Sequence, residues 1–88
     1  MKEASVVIAD EIGLHLRTSE KLVRTASRFR SEVFVRRDDT EVNAKSILGV
    51  LMLAAETGAT IVFRADGPDE DEAIAALVHL VEANFAEE

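Results

Sequence analysis

The stretch "SEVFVRRDDTEVNA", residues 31–44, decides the fold. It contains two short runs rich in β-branched residues, "SEVFVRR" (31–37) and "TEVNA" (40–44), which predict two strands. Asp38 and Asp39 lie between these runs and favour a tight hairpin, because Asp is well suited to turn conformations. The hairpin predicts that at least part of the sheet is antiparallel.

Two further strands are predicted on either side of the hairpin. "ASVVIA" (4–9) is a β-branched run that "DEIG" (10–13) ends, and "ATIVFRA" (59–65) is a second such run before the turn "DGP". Each run is short enough for a strand and too short for a typical helix.

Helices are predicted between and after these strands. Apolar residues recur at helical spacing over residues 17–29 and again over residues 69–85. Between them, "SILGVLMLAAETG" (46–58) predicts a short apolar helix with Ser46 as its N-cap and Gly58 as its C-terminal stop. The order βαββαβα predicts an α/β sandwich of two layers.

Composition excludes several classes of protein. A chain of 88 residues predicts one domain, residues 1–88, and the absence of cysteine excludes disulfide scaffolds, thiolate metal sites and cysteine nucleophiles. No apolar run approaches the roughly 20 residues of a membrane span, and the apolar stretch at the N-terminus is too short for a signal peptide. We therefore expect a cytoplasmic protein that does not insert into membranes. The net charge of -7 argues against nucleic acid as the main ligand.

A histidine lies where the first strand hands over to the first helix, in "GLHLRTS" (13–19). If the helix begins just after His15, the imidazole lies against backbone N–H groups that lack helical partners, at an end with partial positive charge. Arg17 adds a permanent cation. Both features disfavour the imidazolium form, so they should keep His15 neutral and nucleophilic near pH 7. This arrangement suits a transiently phosphorylated histidine, because the new phosphoryl oxygens would meet those N–H groups and Arg17.

The pattern by itself leaves a simpler interpretation of His15 open. A histidine near a helix start can cap the helix or face water. His79 does not support a metal site with it, because it is far away in sequence and lies off the apolar stripe of the last helix, where we expect a surface residue. No Ser/His/Asp triad can be assembled.

Three motifs follow one another along almost the whole chain: Gly-Leu-His-x-Arg at 13–17, Lys-Ser-Ile-x-Gly-Val at 45–50, and Asp-Glu-Asp-Glu-Ala at 69–73. In this order and spacing they resemble the HPr family. Its members are the histidine-containing phosphocarrier proteins of the bacterial phosphoenolpyruvate-dependent sugar phosphotransferase system.

The resemblance implies an open-faced α+β sandwich, a four-stranded antiparallel sheet with three helices on one face. It implies that His15 accepts a phosphoryl group at Nδ1 from phosphorylated Enzyme I and passes it to a IIA-type permease component, while Arg17 steadies the group. It also implies a monomeric carrier rather than an enzyme, with no metal or other cofactor of its own, although Enzyme I uses Mg²⁺.

Ser46 falls at the position that a serine kinase, opposed by a phosphatase, modifies in some members of the family. A phosphate at a helix N-cap meets the helix dipole favourably, and its charge would repel an acidic partner. The capping hydroxyl by itself also explains a serine here.

The helix after Ser46 is apolar almost all round, so some of its side chains should stay exposed as a partner patch. Val50 and Leu53 are the residues most expected in the core instead. The basic stripe Arg17, Lys21, Arg24 and Arg28 flanks His15 and could steer acidic partners. The resemblance implies docking by this helix and by the start of the first, which makes the candidate docking residues Leu16, Lys21, Arg24, Ile47, Leu48 and Leu51.

Two residues depart from the family pattern Gly-Leu-His-Ala-Arg-Pro. Leu16 replaces Ala and adds bulk beside the imidazole. Thr18 replaces Pro, which restores a backbone N–H that could contact the phosphoryl group and adds a hydroxyl that could compete with His15 as a cap. These changes bear on transfer rate and partner choice more than on phosphorylation itself.

The leading functional prediction is a phosphocarrier for sugar uptake. An HPr-like regulator without sugar transport, whose phosphorylation state signals to other proteins, stays open as the alternative. A ferredoxin-like small-molecule sensor would share the βαββαβ order, but it would leave His15, Arg17 and Ser46 unexplained.

Overall fold

A computed structural model of the chain describes residues 1–11 and 13–86. Ile12, in the predicted break at 10–13, and the last two residues of the predicted domain 1–88 lie outside the described residues. The described elements follow the predicted order: β1 Lys2–Val7, α1 Leu16–Ser27, β2 Glu32–Arg37, β3 Thr40–Asn43, α2 Ile47–Met52, β4 Thr60–Asp66 and α3 Glu70–Glu82.

The four strands form one antiparallel sheet in the order β1-β4-β2-β3. Arg37 pairs with Thr40 across the hairpin, which leaves Asp38 and Asp39 as its two-residue loop. Asp38 has a φ of +54°, the left-handed conformation that such a tight loop requires. The four-stranded antiparallel sheet and the hairpin are therefore confirmed.

One face of the sheet carries the helices and the core. Alternate strand residues point to this face, so Val33 and Val35 of β2 and Ile61 and Phe63 of β4 are buried. The intervening residues lie on the open face. No helix within the described ranges is long and apolar enough to cross a membrane.

Apart from the end of α2, the element boundaries lie within three residues of the sequence predictions. β1 starts at Lys2 rather than at residue 4 and ends at Val7. The pairing continues beyond its end, since the Ile8 amide donates to the Ala59 carbonyl at 2.9 Å. α1 and α3 both end before the predicted residues 29 and 85.

The middle helix is much shorter than predicted. It covers Ile47–Met52, so Gly58 is not its C-terminal stop. The Arg37 guanidinium donates to the carbonyls of Leu53 and Ala54, both at 3.1 Å, and Ala54 adopts a φ of +49°. A side chain of β2 thus takes the carbonyls that a further helical turn would use.

The start of α3 is tied to the start of β2 by the Asp69 carboxylate. It accepts hydrogen bonds from the backbone N–H groups of Arg30 and Ser31, both at 2.9 Å, and from the Ser31 hydroxyl at 2.5 Å. Gly67 allows this approach, because a Cβ there would lie 2.6 Å from the Cα of Ser31. The Ser31 hydroxyl, followed by the Arg30 N–H, lowers the pKa of Asp69 from 3.8 to about 2.

We expect the Asp69 carboxylate to contribute stability that acid removes. Its pKa is lower in the folded protein than in the unfolded chain. The contribution is therefore complete above the unfolded value of 3.8 and is lost as the pH falls towards 2. Asp69→Asn should lower the urea midpoint at pH 7. Its stability should also fall less than that of the wild type as the pH decreases, as measured by urea unfolding from pH 2 to 7.

Asp71→Asn is the matched control, because Asp71 lies in the first turn of the same helix with its side chain 76% exposed. It should leave the wild-type acid profile nearly unchanged. If Asp69→Asn and Asp71→Asn gave the same profile, the Asp69 contacts would not stabilise the fold.

Candidate functional site

The loop before α1 is pinned to the segment after α2. Gly13 has a φ of +84°, and a Cβ on it would lie 2.6 Å from the carbonyl oxygen of Ala55. The next amide, that of Leu14, donates to this same carbonyl at 2.7 Å. Only glycine fits this approach, which places His15, two residues further on, at the start of α1.

His15 is the N-cap of α1. Its backbone is extended, its carbonyl accepts the Ser19 amide at 2.8 Å, and its Nδ1 accepts the Arg17 amide at 3.3 Å. A nitrogen accepts a hydrogen bond through its lone pair, so this geometry directs the Nδ1 lone pair to the Arg17 N–H. The nucleophilic lone pair thus lies at the positive end of the helix.

Thr18 completes the cap from the other direction. Its hydroxyl accepts the His15 amide at 3.0 Å and donates to the Gly13 carbonyl at 3.0 Å. The result is a capping box in which His15 and Thr18 play reciprocal roles. Thr18 is 4% exposed, and its hydroxyl does not displace His15 from its capping position.

His15 opens into a cleft of about 260 Å³. Its wall brings Arg17, Thr18 and Lys21 together with residues that sequence reasoning missed. Asp10 and Glu11 could have been suspected from their nearness in sequence, whereas Asn84 gives no sequence signal because it comes from the far end of the chain. The lining residues are Asp10, Glu11, His15, Arg17, Thr18, Lys21 and Asn84.

The helix termini divide the charges unequally. α3 has Glu70, Asp71 and Glu72 in its first turn, and these carboxylates neutralise its own positive end. The first turn of α1 has no acidic residue. Its positive end therefore stays available to an anion that comes from outside, next to the Arg17 guanidinium.

Of the predicted docking residues, Lys21 lines the His15 cleft, and Arg24 and Ile47 line a second groove. Leu16 is 58% exposed and Leu48 is 71% exposed, whereas Ile47, Leu51 and Lys21 are half-buried and Arg24 is exposed. A groove of about 320 Å³ between the two helices is lined by Glu20, Val23, Arg24 and Ile47.

The other residues singled out in the sequence fall as follows. Ser46 caps α2, since its hydroxyl accepts the Gly49 amide at 3.2 Å. Val50 and Leu53 are buried in the core, as expected. His79 is exposed on α3, also as expected.

Comparison with known proteins is consistent with this geometry. Residues 2–83 match the family described as PTS HPr component phosphorylation site. The phosphocarrier protein HPr of Neisseria meningitidis is 47% identical over 87 residues, which cover 99% of this chain and 98% of the relative.

Two solved structures extend the comparison to three dimensions. An HPr from Thermoanaerobacter tengcongensis superimposes with a TM-score of 0.95 at 45% identity and covers 100% of this chain and 99% of its own. The Bacillus subtilis protein Crh, which forms an intertwined dimer with a swapped domain, gives 0.77 at 37% identity and covers 99% and 100%.

Sequence and fold agree over nearly the full length of the relatives, and the motif histidine caps a helix at the mouth of a cleft. The chain therefore belongs to the HPr family of phosphocarrier components of the phosphotransferase system.

Proposed function

We propose that His15 is the residue that carries the phosphoryl group. Phosphorylated Enzyme I supplies the group to Nδ1, and a IIA-type permease component receives it in sugar uptake. The observation that carries this proposal is the position of Nδ1, which accepts the Arg17 amide at the open positive end of α1. In this proposal the chain acts as a monomeric single-domain carrier in the cytoplasm, without a cofactor and without catalysis of its own.

The transfer uses the lone pair of Nδ1. It attacks the phosphorus of the donor phosphohistidine, forms the new N–P bond, and leaves the bonding pair with the departing donor nitrogen. The lone pair can then no longer accept the Arg17 amide. That N–H is released towards the phosphoryl oxygens, so one hydrogen bond is exchanged for another as the group arrives.

Arg17 supplies the fixed cation for the transferred group. Its exposed side chain lines the cleft beside His15, and a guanidinium offers several N–H donors to phosphoryl oxygens. Charge spreads over these oxygens during phosphoryl transfer, so a preplaced cation stabilises the transition state.

We expect His15→Ala to abolish the acid-labile phosphorylation that Enzyme I and phosphoenolpyruvate produce. Intact-mass spectrometry at mildly alkaline pH measures this phosphorylation. His79→Ala removes the other histidine and should be phosphorylated like the wild type. Arg17→Ala should slow the transfer by about a hundredfold, the scale for losing one preorganised charge contact, and Arg17→Lys should recover part of the rate. Phosphorylation of His15→Ala would refute the assignment.

We assign the Thr18 hydroxyl a positioning role, so a phosphoryl contact by this residue would come from its backbone N–H. Its hydroxyl already joins the His15 amide to the Gly13 carbonyl, and it is buried. It fixes the backbone on the N-terminal side of His15 and, through it, the direction of the imidazole. The capping box supplies what a proline would supply in the family pattern, a defined first turn.

Thr18→Val keeps the shape of the side chain and removes the hydroxyl that bonds the His15 amide and the Gly13 carbonyl. We expect a loss of about 2 kcal/mol of unfolding free energy and slower phosphorylation by Enzyme I under conditions where the variant is fully folded. Thr18→Ser keeps the hydroxyl and should restore the phosphorylation rate. A Thr18→Val variant that is phosphorylated at the wild-type rate would limit Thr18 to a structural role.

We place the partner surface at the groove between α1 and α2. The groove has an apolar wall from Val23 and Ile47, and exposed Leu48 extends this apolar surface. Arg24 lines the groove and Arg17 lies in the adjoining cleft. An apolar patch with basic residues at its edge fits a partner that presents apolar side chains within an acidic rim.

Ser46 lies at the start of α2, next to this surface. Its hydroxyl caps the helix through the Gly49 amide, and a phosphate would remain at the same favourable end. The added negative charge would oppose an acidic partner. This is the route by which the chain could also act as a regulatory phosphoprotein, and the likeness to Crh favours keeping that second function.

The docking surface is tested by Leu48→Ser, with Val7→Ser as the matched control. Val7 is 54% exposed, but it lies on the sheet face away from the helices. Leu48→Ser should raise the KM of Enzyme I for this protein about tenfold with little change in kcat, whereas Val7→Ser should not. Ser46→Asp should behave like Leu48→Ser, and Ser46→Ala like the wild type. Equal effects of the two serine substitutions at positions 7 and 48 would move the docking surface elsewhere.

A further inference from the structure

The turn that follows α3 lies on the rim of the His15 cleft. Asn84 and Phe85 both have left-handed backbones, with φ values of +54° and +61°. The Asn84 amide donates to the Val81 carbonyl at 3.0 Å, and the Phe85 amide donates to the Leu80 carbonyl at 2.8 Å. This bonding closes the helix as a Schellman motif and gives residues 83–85 a defined shape.

Tertiary contacts hold this turn against α1. A left-handed phenylalanine is unfavourable by itself, yet the Phe85 side chain is only 2% exposed. The Phe85 carbonyl accepts a hydrogen bond from Nζ of Lys21 at 2.8 Å. Lys21 is on α1 and lines the same cleft as His15, so its ammonium ties the turn to the wall of the site.

Asn84 is the residue that this arrangement presents to the cleft. It lines the cleft together with His15 and Arg17, and it is exposed. Its side-chain amide makes no hydrogen bond with any of the residues that the structure describes. Two N–H donors are thus held at the site without a partner among those residues.

The charged residues of the cleft include acidic ones, so a neutral hydrogen-bond donor there would help to hold a phosphoryl group. Asp10 and Glu11 also line it, and their carboxylates repel a phosphoryl group. Lys21 directs its ammonium to the Phe85 carbonyl. A phosphoryl group on His15 would therefore gain from a further donor on the side of the cleft formed by the α3 turn.

We propose that Asn84 is an additional phosphoryl-contacting residue, whose side-chain amide donates a hydrogen bond to a phosphoryl oxygen on His15, and that the Lys21–Phe85 hydrogen bond positions it. The proposal rests on the proposed function of His15 as the phosphoryl site.

The test measures the coupling between phosphorylation and Asn84 without Enzyme I. Potassium phosphoramidate transfers its phosphoryl group to the His15 imidazole and releases ammonia, and ³¹P NMR with the His15→Ala variant verifies the position. Urea unfolding of the loaded and unloaded protein at mildly alkaline pH then gives the effect of the phosphoryl group on stability. The comparison covers wild type, Asn84→Gly, Asn84→Ala and Asn84→Asp.

The phosphoryl group should favour the folded wild type more than it favours Asn84→Gly or Asn84→Ala, by about fivefold in the unfolding equilibrium constant, the size of one net hydrogen bond. Asn84→Gly accepts the left-handed backbone, so it separates loss of the amide from backbone strain. Asn84→Asp keeps the shape of the side chain. Its carboxylate repels the phosphoryl group, so residue 84 should then oppose the stabilisation by phosphorylation instead of adding to it. Equal effects of phosphorylation in all four proteins would overturn the contact.

Lys21→Met tests the positioning part. In that background the coupling between Asn84 and the phosphoryl group should shrink, and an unchanged coupling would show that the Lys21–Phe85 hydrogen bond does not position Asn84. A wild type that phosphoramidate loads but Enzyme I does not would contradict the carrier function, while the Asn84 comparison would still be decided by its own measurement.

Discussion

The hydrogen bond from the Leu14 amide to the Ala55 carbonyl joins the two loops on which the site depends. Gly13 makes the contact possible, because any side chain there would collide with the Ala55 carbonyl. On one side of the contact α1 begins, with His15 as its N-cap. On the other side the chain after α2 is held outside any helix. One close backbone approach thus sets both where the histidine lies and how the chain runs from α2 to β4.

Acidic residues occupy the first turn of α3 but not that of α1. α3 neutralises its own positive end with acidic residues, and Asp69 uses its carboxylate to fasten β2 instead of capping the helix. α1 caps its end with an imidazole nitrogen and a hydroxyl and has no carboxylate in its first turn, so the positive potential stays in place. An incoming phosphoryl group would find the N–H groups, the guanidinium of Arg17 and the nucleophilic nitrogen within one turn of helix.

The departures from the family pattern change how the first turn of α1 is held in place. Proline would define the first turn through its ring, whereas Thr18 defines it through two hydrogen bonds. Leu16 is exposed beside the site and enlarges the exposed apolar surface there. The turn after α3 contributes Asn84 to the wall of the cleft, and this residue lies outside the sequence motif around His15.

The element order, the hairpin at Asp38 and Asp39, and the cap residues His15 and Ser46 follow from the sequence, because hydrophobic period, turn chemistry and capping act over a few neighbouring residues. The motifs likewise pointed to the family. The length of α2 did not follow from the sequence, because Arg37, a residue of strand β2, bonds the carbonyls just after that helix. Neither did the presence of Asn84 in the His15 cleft, because Lys21 and the buried Phe85 ring bring it there across most of the chain. Local sequence determines what short-range forces decide, whereas long-range hydrogen bonds and core packing, which depend on contacts between distant residues, decide the rest.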